Sequence, residues 1–459
     1  MNKFILFFSR FALYLQKKNN AMDVIFKYGK DDICLSVPDS SMVYTSDYKH
    51  EIRPANELLL GSIIDPVGCL SLSEQLKKRR KGNVVIVVSD ITRPIPYWSF
   101  LQVLLDFIVG EGVNKEEITI VVATGMHRAS TLEEKRYMFG RQIVEQFAIV
   151  DHNTEDDDML LAIGGKSWSG TDVKLNRHYV EAGFRILTGL VEPHFMAGFS
   201  GGRKAICPGL ASLQTIQMFH GYNFLSHPDA ANAVLENNPC HLENTSIARI
   251  CPADFSVNIV LDQNKNLNKI ITGDQFLSHE ATIDYLKERC CKTVEQQADM
   301  AITSCGGYPL DDTFYQCVKG FVNCLPALKD GGEIIAFGGC GEGIGSVEYE
   351  TLTKKYSGKA DEFLSDIKSG RFFIKDQWQL QMHIRVLKKA GEENLHFYTT
   401  NIPSEELRLL SVNAHSVSKN NLEKSIQKQI DEAVRSGKKI AVFPEGPYCS
   451  PTNKMKNEK

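Results

Sequence analysis

The sequence predicts a two-domain α/β protein: a larger N-terminal doubly wound α/β domain and a smaller C-terminal α/β domain, with the active site in the cleft between them. Three observations carry that expectation. The chain has 459 residues, too many for one ordinary core at roughly 100 to 200 residues per domain. Short runs of Val and Ile alternate with stretches of helical spacing; in the clearest, Asn83–Val88, every residue after the asparagine is Val or Ile, as in parallel strands buried on both faces. Each run then ends in a polar or glycine-rich cluster, and open α/β sheets bind ligands at the carboxyl ends of their strands.

Composition narrows the class further. A formal net charge of -4 and a pI near 6.3 give no basic footprint, so nucleic acid is not an expected partner. The 12 cysteines contain no C-x-x-C pair, which points to reduced thiols in a cytoplasmic protein rather than a zinc ribbon or a disulfide framework. The first 21 residues resemble a signal sequence, but Ser9 and Arg10 interrupt the apolar run. It also falls short of the about 20 apolar residues a spanning helix needs. The expected boundaries are therefore an extension over 1–21, disordered or reflecting an upstream start and without stable membrane insertion, a domain over 22–293, a second over 294–450 and a disordered tail over 451–459.

In chain order, Val24–Tyr28 and Ile33–Val37 flank a Gly-Lys-Asp-Asp turn and predict a hairpin. Asn83–Val88 opens into Ser89-Asp90-Ile91-Thr92-Arg93-Pro94 before a helix over Tyr97–Val109. Asp90 and Thr92 there could serve only as helix caps, with Arg93 paired to Asp90. Glu117–Ala123 ends in Thr124-Gly125-Met126-His127-Arg128, Phe147–Val150 leads into an acidic loop, and Phe184–Val191 ends in Glu192-Pro193-His194. Next come Gly198, Gly201 and Gly202, which permit a tight turn and close approach of a ligand, and then Lys204. Arg203 before that lysine and Ala205 after it exclude a Walker A loop. A helix over Leu213–Phe219 would place His220 at its end. Val257–Leu261 is a further strand, and the polar residues 262–269 read as a turn and surface loop.

The second domain begins with a strand over Met300–Thr303. The following helix carries Tyr315, Gln316 and Lys319, and the last two, three residues apart, can share a face suited to a carboxylate. Glu333–Phe337 ends in GGCGEGIGS, in which no register gives G-x-G-x-x-G. The runs Leu395–Tyr398, Leu407–Val412 and Lys439–Phe443 are expected to complete the sheet, with Gln377-Trp378-Gln379 on a helix between.

Taken as a set, SDITRP, TGMHR, EPH, GFSGGRK, His220 and GGYPLDDTFYQCVKG resemble the nickel-pincer lactate racemase family of 2-hydroxy acid racemases and epimerases, from about Met22 onward. The resemblance implies a nickel cofactor, the Ni(II)-pyridinium-3,5-bisthiocarboxylate mononucleotide, attached covalently at Lys204 through a thioamide and loaded by cofactor-synthesis proteins. It implies His220 as the metal's protein ligand and His127 and His194 as the acid/base pair. Asp90, Ile91, Thr92 and Arg93 would line the cofactor, and Arg93, Tyr315, Gln316, Lys319 and Trp378 would hold the substrate. The first domain would anchor the cofactor and the second close over the substrate. The implied reaction inverts C2 of a small 2-hydroxy acid, by default lactate, through hydride transfer and a planar 2-keto acid. Histidine suits both proton transfers because its unperturbed pKa is about 6.5. The alternatives are an NAD-dependent 2-hydroxy acid oxidoreductase, a malate or sugar-acid racemase or epimerase, a zinc site of His127, His194 and His220, and a catalytically silent binding protein.

Overall fold

The computed structural model describes residues 16–18, 20–48, 53–370 and 372–453. Residues 1–15, 19 and 454–459, which hold most of the expected extension and tail, lie outside the described residues. Two compact units emerge, one of Asp47–Arg289 and one of the residues before and after it. This corrects the expected 22–293 boundary. The hairpin Ala21–Tyr28 and Asp31–Pro38 alternates buried and open positions. Its apolar face, with Val24, Phe26, Leu35 and Val37, packs on Ile302, Phe337, Ile426 and Val442 of the later unit. Alternation in sequence shows that one face must be buried but not against which domain.

The Asp47–Arg289 unit is a six-stranded sheet in the order Leu267–Gly273, Phe255–Leu261, Phe184–Leu190, Val84–Ser89, Ile118–Ala123, Ala148–Asp151. All neighbours are parallel except the first pair. The chain builds outward from Val84–Ser89 in one direction, then returns to add Phe184–Leu190 on its other side. That reversal is a topological switch point, where the loops after the two strands diverge and leave a crevice. Asp90 follows one of these strands and the Pro193–His194 segment follows the other. The helix Tyr97–Gly110 buries Phe100, Leu101, Leu104 and Ile108 against Val84, Ile86 and Val88.

Two elements of this unit were not expected. Leu267–Gly273 is an antiparallel edge strand where residues 262–269 read as loop; the polar residues 262–266 form the turn and the strand starts at Leu267. Leu160–Lys166 and Asp172–Asn176 form a hairpin that the acidic stretch before it concealed.

The second unit holds another six-stranded sheet, Asn413–Ser416, Leu395–Thr399, Leu328–Phe337, Ala298–Ser304, Ile440–Phe443, Met42–Val43, with every pair parallel. Leu407–Val412 is not a strand: Ser404–Arg408 is a short helix with Glu405 and Glu406 in its first turn, where acidic groups complement the helix dipole. The expected disordered tail is corrected at its start, since Ser450–Asn453 pairs in parallel with Cys291–Val294. All 12 cysteines are free thiols. Among the described residues no helix is long and apolar enough to cross a membrane.

Candidate active site

At the end of Val84–Ser89, Asp90 turns inward and is buried. Its Oδ1 accepts from the Thr92 hydroxyl at 2.6 Å and the Thr92 N–H at 3.2 Å, while its Oδ2 lies 2.6 Å from His127 Nδ1. Burial would raise the Asp90 carboxyl, but His127, Thr92 and Arg93 outweigh it and hold it below its ordinary value. An ionised carboxylate can only accept, so His127 Nδ1 donates, and Nε2 is left on the far side of a half-exposed ring. The cap reading is not realised, because Pro96 stands at the N-cap of Tyr97–Gly110 without a side-chain cap, and Asp90 bonds His127 while Arg93 Nη1 donates to the Thr92 carbonyl at 3.5 Å. Ile91 is half-buried beside the apolar core.

His194 sits in a two-residue hairpin, Pro193–His194 against Gly198–Phe199. Its Nδ1 accepts from the N–H groups of Met196 at 3.3 Å and Ala197 at 3.2 Å, so the ring proton lies on Nε2, 2.9 Å from Lys204 Nζ. Lys204, the nucleophile candidate, is thereby held against an imidazole nitrogen. Lys204 also lies 5.9 Å from the Phe219 ring centroid. His220 caps the helix Leu213–Phe219 and is buried. Burial first, then the charges of Lys204 and His127, push its pKa down to about 3, so the ring is neutral and able to ligate a metal. The structure therefore gathers His127, His194, Lys204 and His220 with Asp90 and Thr92 at one sheet edge.

The glycines make the expected tight turn. Gly198, Gly201 and Gly202 all have positive φ, but the atoms that crowd them are the protein's own. A Cβ on Gly201 would come within 2.7 Å of Val191, and one on Gly202 within 2.6 Å of the His279 ring. Close packing of the protein on the turn requires them.

Sequence reasoning missed the residue between this turn and the lysine. The Arg203 side chain is buried; its Nε donates to Asn244 Oδ1 at 2.9 Å, its Nη1 to His279 Nδ1 at 2.9 Å and its Nη2 to His241 Nδ1. The adjacency of Arg203 to Lys204 was a signal, whereas nothing local marks His279.

The other four candidates belong to the second unit. On the helix Phe314–Asn323, the Tyr315 hydroxyl donates to Asp376 Oδ1 at 2.9 Å, and burial with that carboxylate pushes the phenol well above its ordinary pKa. Trp378, in the first turn of Gln377–Ala390, is buried with its ring centroid 6.2 Å from that of Phe373. Gln316 Oε1 is shielded from water and has no hydrogen-bond partner among the described residues, a cost of about 1–3 kcal/mol. Lys319 lies one turn further along the same helix, half-buried. The GGCGEGIGS loop is stitched to the start of this helix, with the N–H groups of Phe314 and Tyr315 donating to the carbonyls of Gly343 and Ile344 at 2.9 and 3.0 Å. It caps a helix.

Comparison with known proteins gives a consistent assignment. Residues 28–233 match the model of the lactate racemase N-terminal domain and residues 293–448 that of the lactate racemase C-terminal domain. The lactate racemase of Thermoanaerobacterium thermosaccharolyticum is 33% identical over 365 residues, covering 78% of this chain and 84% of that protein. That of Lactiplantibacillus plantarum is 33% identical over 426 residues, covering 91% and 97%. The chain belongs to the lactate racemase family.

As a family member it is an isomerase of the racemase class. The structure of the Thermoanaerobacterium thermosaccharolyticum lactate racemase apoprotein superimposes with a TM-score of 0.83 at 30% identity, covering 94% of this chain and 100% of that one. A Thermotoga maritima protein shares the fold at 18% identity, with a TM-score of 0.62 over 83% and 96% of the two chains. Among the described residues no three His, Cys, Asp or Glu side chains are disposed to hold a metal. The zinc site of His127, His194 and His220 is therefore not formed.

Proposed function

We propose that the protein racemises a small 2-hydroxy acid, with lactate the substrate the named relatives favour, and that Lys204 and His220 hold a nickel-pincer mononucleotide. The observation that carries this reading is the Lys204 amine held 2.9 Å from His194 Nε2, with a neutral buried His220 nearby. The donor set fits the group. One imidazole without two further protein ligands suits a metal that arrives with its own sulfur and carbon donors, and a lysine amine suits a covalent attachment. When bound, the group would supply an electron sink for the C2 hydride.

The chain's own residues govern the proton and the substrate's orientation. His127, oriented by Asp90 at Nδ1, would take the hydroxyl proton at Nε2 when the ring is neutral. His194 would give one from Nε2 when both its ring nitrogens are protonated, a state that displaces the Met196 and Ala197 N–H groups from Nδ1. Turnover of the opposite enantiomer would exchange these roles. Attachment at Lys204 would take away the amine that His194 faces, freeing Nε2 for the substrate. Arg93 and Lys319 would each supply a cation for the substrate carboxylate, Gln316 a partner for its polar groups, and Tyr315 and Trp378 apolar walls; Ile91 and Thr92 would border the cofactor.

The test is intact mass and metal analysis of the full chain produced with cofactor-synthesis proteins. The expected result is one covalent addition mapping to Lys204 and nickel in near-equal amount, both lost in Lys204→Ala, together with interconversion of the two lactate enantiomers. An adduct on another lysine, or bound NAD without nickel, would overturn the reading.

A further inference from the structure

We infer that His279 and Arg203 are positioning residues for Lys204, with His241 and Asn244 completing a bracket that sets where the lysine amine is presented. The inference rests on the reading of Lys204 as the attachment residue. Lys204 lies in a four-residue 3-10 turn, Gly202–Ala205. The glycines just before it contribute no side chains and have positive φ, so the turn cannot hold the lysine in place from within. Something outside it must.

The His279 ring does so at two points. Its Nε2–H donates to the Ser200 carbonyl at 2.8 Å, which fixes the tautomer, and its Nδ1 accepts from Arg203 Nη1 at 2.9 Å. One imidazole thus grips the chain on both sides of Gly201-Gly202 and lies flush on Gly202, where a Cβ would come within 2.6 Å of it. Arg203 is gripped again by His241 and Asn244, three residues apart on the helix Pro239–Ile250 and so on one face. All three acceptors are uncharged. Burial and the Arg203 charge push His279 and His241 down to about 3, so both rings keep the lone pairs the guanidinium needs. A buried cation bonded only to neutral acceptors is costly where an apolar side chain would pack. Its distinctive output is geometry, a fork with fixed directions that turns the next residue, Lys204, the opposite way towards His194.

The experiment compares the full chain with His279→Gln, whose amide can both donate and accept, and His279→Phe, whose ring can do neither. Lys204 modification by an acetylating ester is followed by peptide mass spectrometry in the unloaded protein, relative to the exposed Lys359, and so is the rate of mass gain on loading with cofactor-synthesis proteins. His279→Phe should slow loading by on the order of a hundredfold, as misplacement of a reacting group does, and change the Lys204 to Lys359 labelling ratio. His279→Gln should restore both to within a few-fold. Should His279→Phe fail to fold, Arg203→Lys, which keeps the charge and loses the fork, should show the same two changes. Wild-type loading and labelling in the variants would overturn the inference. If the parent chain gains no mass at Lys204, the attachment reading fails; an altered labelling ratio in His279→Phe would still uphold the bracket.

Discussion

The two units share a six-stranded, largely parallel sheet with a reversal of strand order, yet they bury different chemistry. Asp47–Arg289 buries titratable nitrogen: His152 is held down at about 4, His220, His241 and His279 at about 3, and Arg203 at about 10, in each case chiefly by burial. The second unit is the richer in buried thiols, with Cys317 Sγ 3.9 Å from Cys340 Sγ, and the histidine it buries, His383, is bonded to Tyr349 at 3.0 Å. Each unit also buries aspartates at loop junctions, and Asp90 and Asp311 are shifted in opposite directions. Asp90 is lowered by His127, Thr92 and Arg93 against the effect of burial. Asp311 is raised by burial, although the N–H groups of Gly29 and Gly339 partly offset it. Similar sheets thus offer similar loop positions, and the side chains at the strand ends decide whether protons can be moved there.

The largest expected effect falls on the imidazoles. His127→Ala and His194→Ala should each lower racemisation by about 10²–10⁴-fold, while single turnovers retain opposite enantiomers. Chiral analysis of substrate and keto acid would show this, and a shared residual preference would break the paired roles. Next in size, Phe26→Ala should cost about 3–5 kcal/mol. Phe26 is fully buried and packs edge-on to Phe337 at 5.3 Å. Protection from hydrogen exchange should fall in the second unit alone, and a loss confined to 47–289 would contradict the assignment of the hairpin.

Acid should separate the units too. A histidine free in the unfolded chain takes its proton near pH 6.5, whereas these folded histidines refuse theirs down to about 3 to 4. Their contribution is intact above pH 6.5 and is lost progressively as the pH falls from there towards the folded values. In the second unit the corresponding histidines held at about 4 are His383 and His415. Exchange protection should therefore fail first, as the pH drops, in peptides from 47–289, and simultaneous failure would erase the contrast.

Smaller effects test single polar groups. Lys319→Ala should weaken substrate binding by about 1.5–3 kcal/mol, seen in the affinity for lactate or an unreactive analogue. Asp311→Asn should be nearly neutral for stability at pH 7, because it removes a carboxylate that burial disfavours while its amide oxygen can still accept from Gly29 and Gly339. Asp90→Asn should instead reduce turnover. Denaturation and rate measurements on the pair would show whether the two carboxylates differ as described.

Much of this was legible in the sequence because it depends on local order. The Val84–Ser89 and Phe184–Leu190 strands announce themselves as continuous apolar runs, and Asp90, His127, His194 and Lys204 follow within a few residues of a strand end. What was illegible depends on distant partners. The hairpin 21–38 reads as a strand pair whichever unit it joins, and Leu267–Gly273 hides behind a polar turn. His279 lies 76 residues from the Arg203 it binds. A glycine's reason is equally non-local, since Gly202 announces a tight turn but not the imidazole lying on it.

The division of the chain also has a temporal consequence. The unit Asp47–Arg289 lies within the sequence of the other, and its two ends meet, with the Asp47 N–H donating to the Arg289 carbonyl at 2.8 Å. On a ribosome adding about 5–20 residues per second, that interval takes roughly 10–50 s to synthesise. Throughout it the hairpin's apolar face, including Val24, Phe26 and Leu35, has no sheet to cover it, because Ile302, Phe337 and Val442 do not yet exist. The inserted unit can finish folding on its own and draw its ends together before the host sheet is translated. The nascent chain thus passes through a stage with a completed centre and an exposed, waiting amino-terminal flank, the interval in which a holding chaperone would have most to protect.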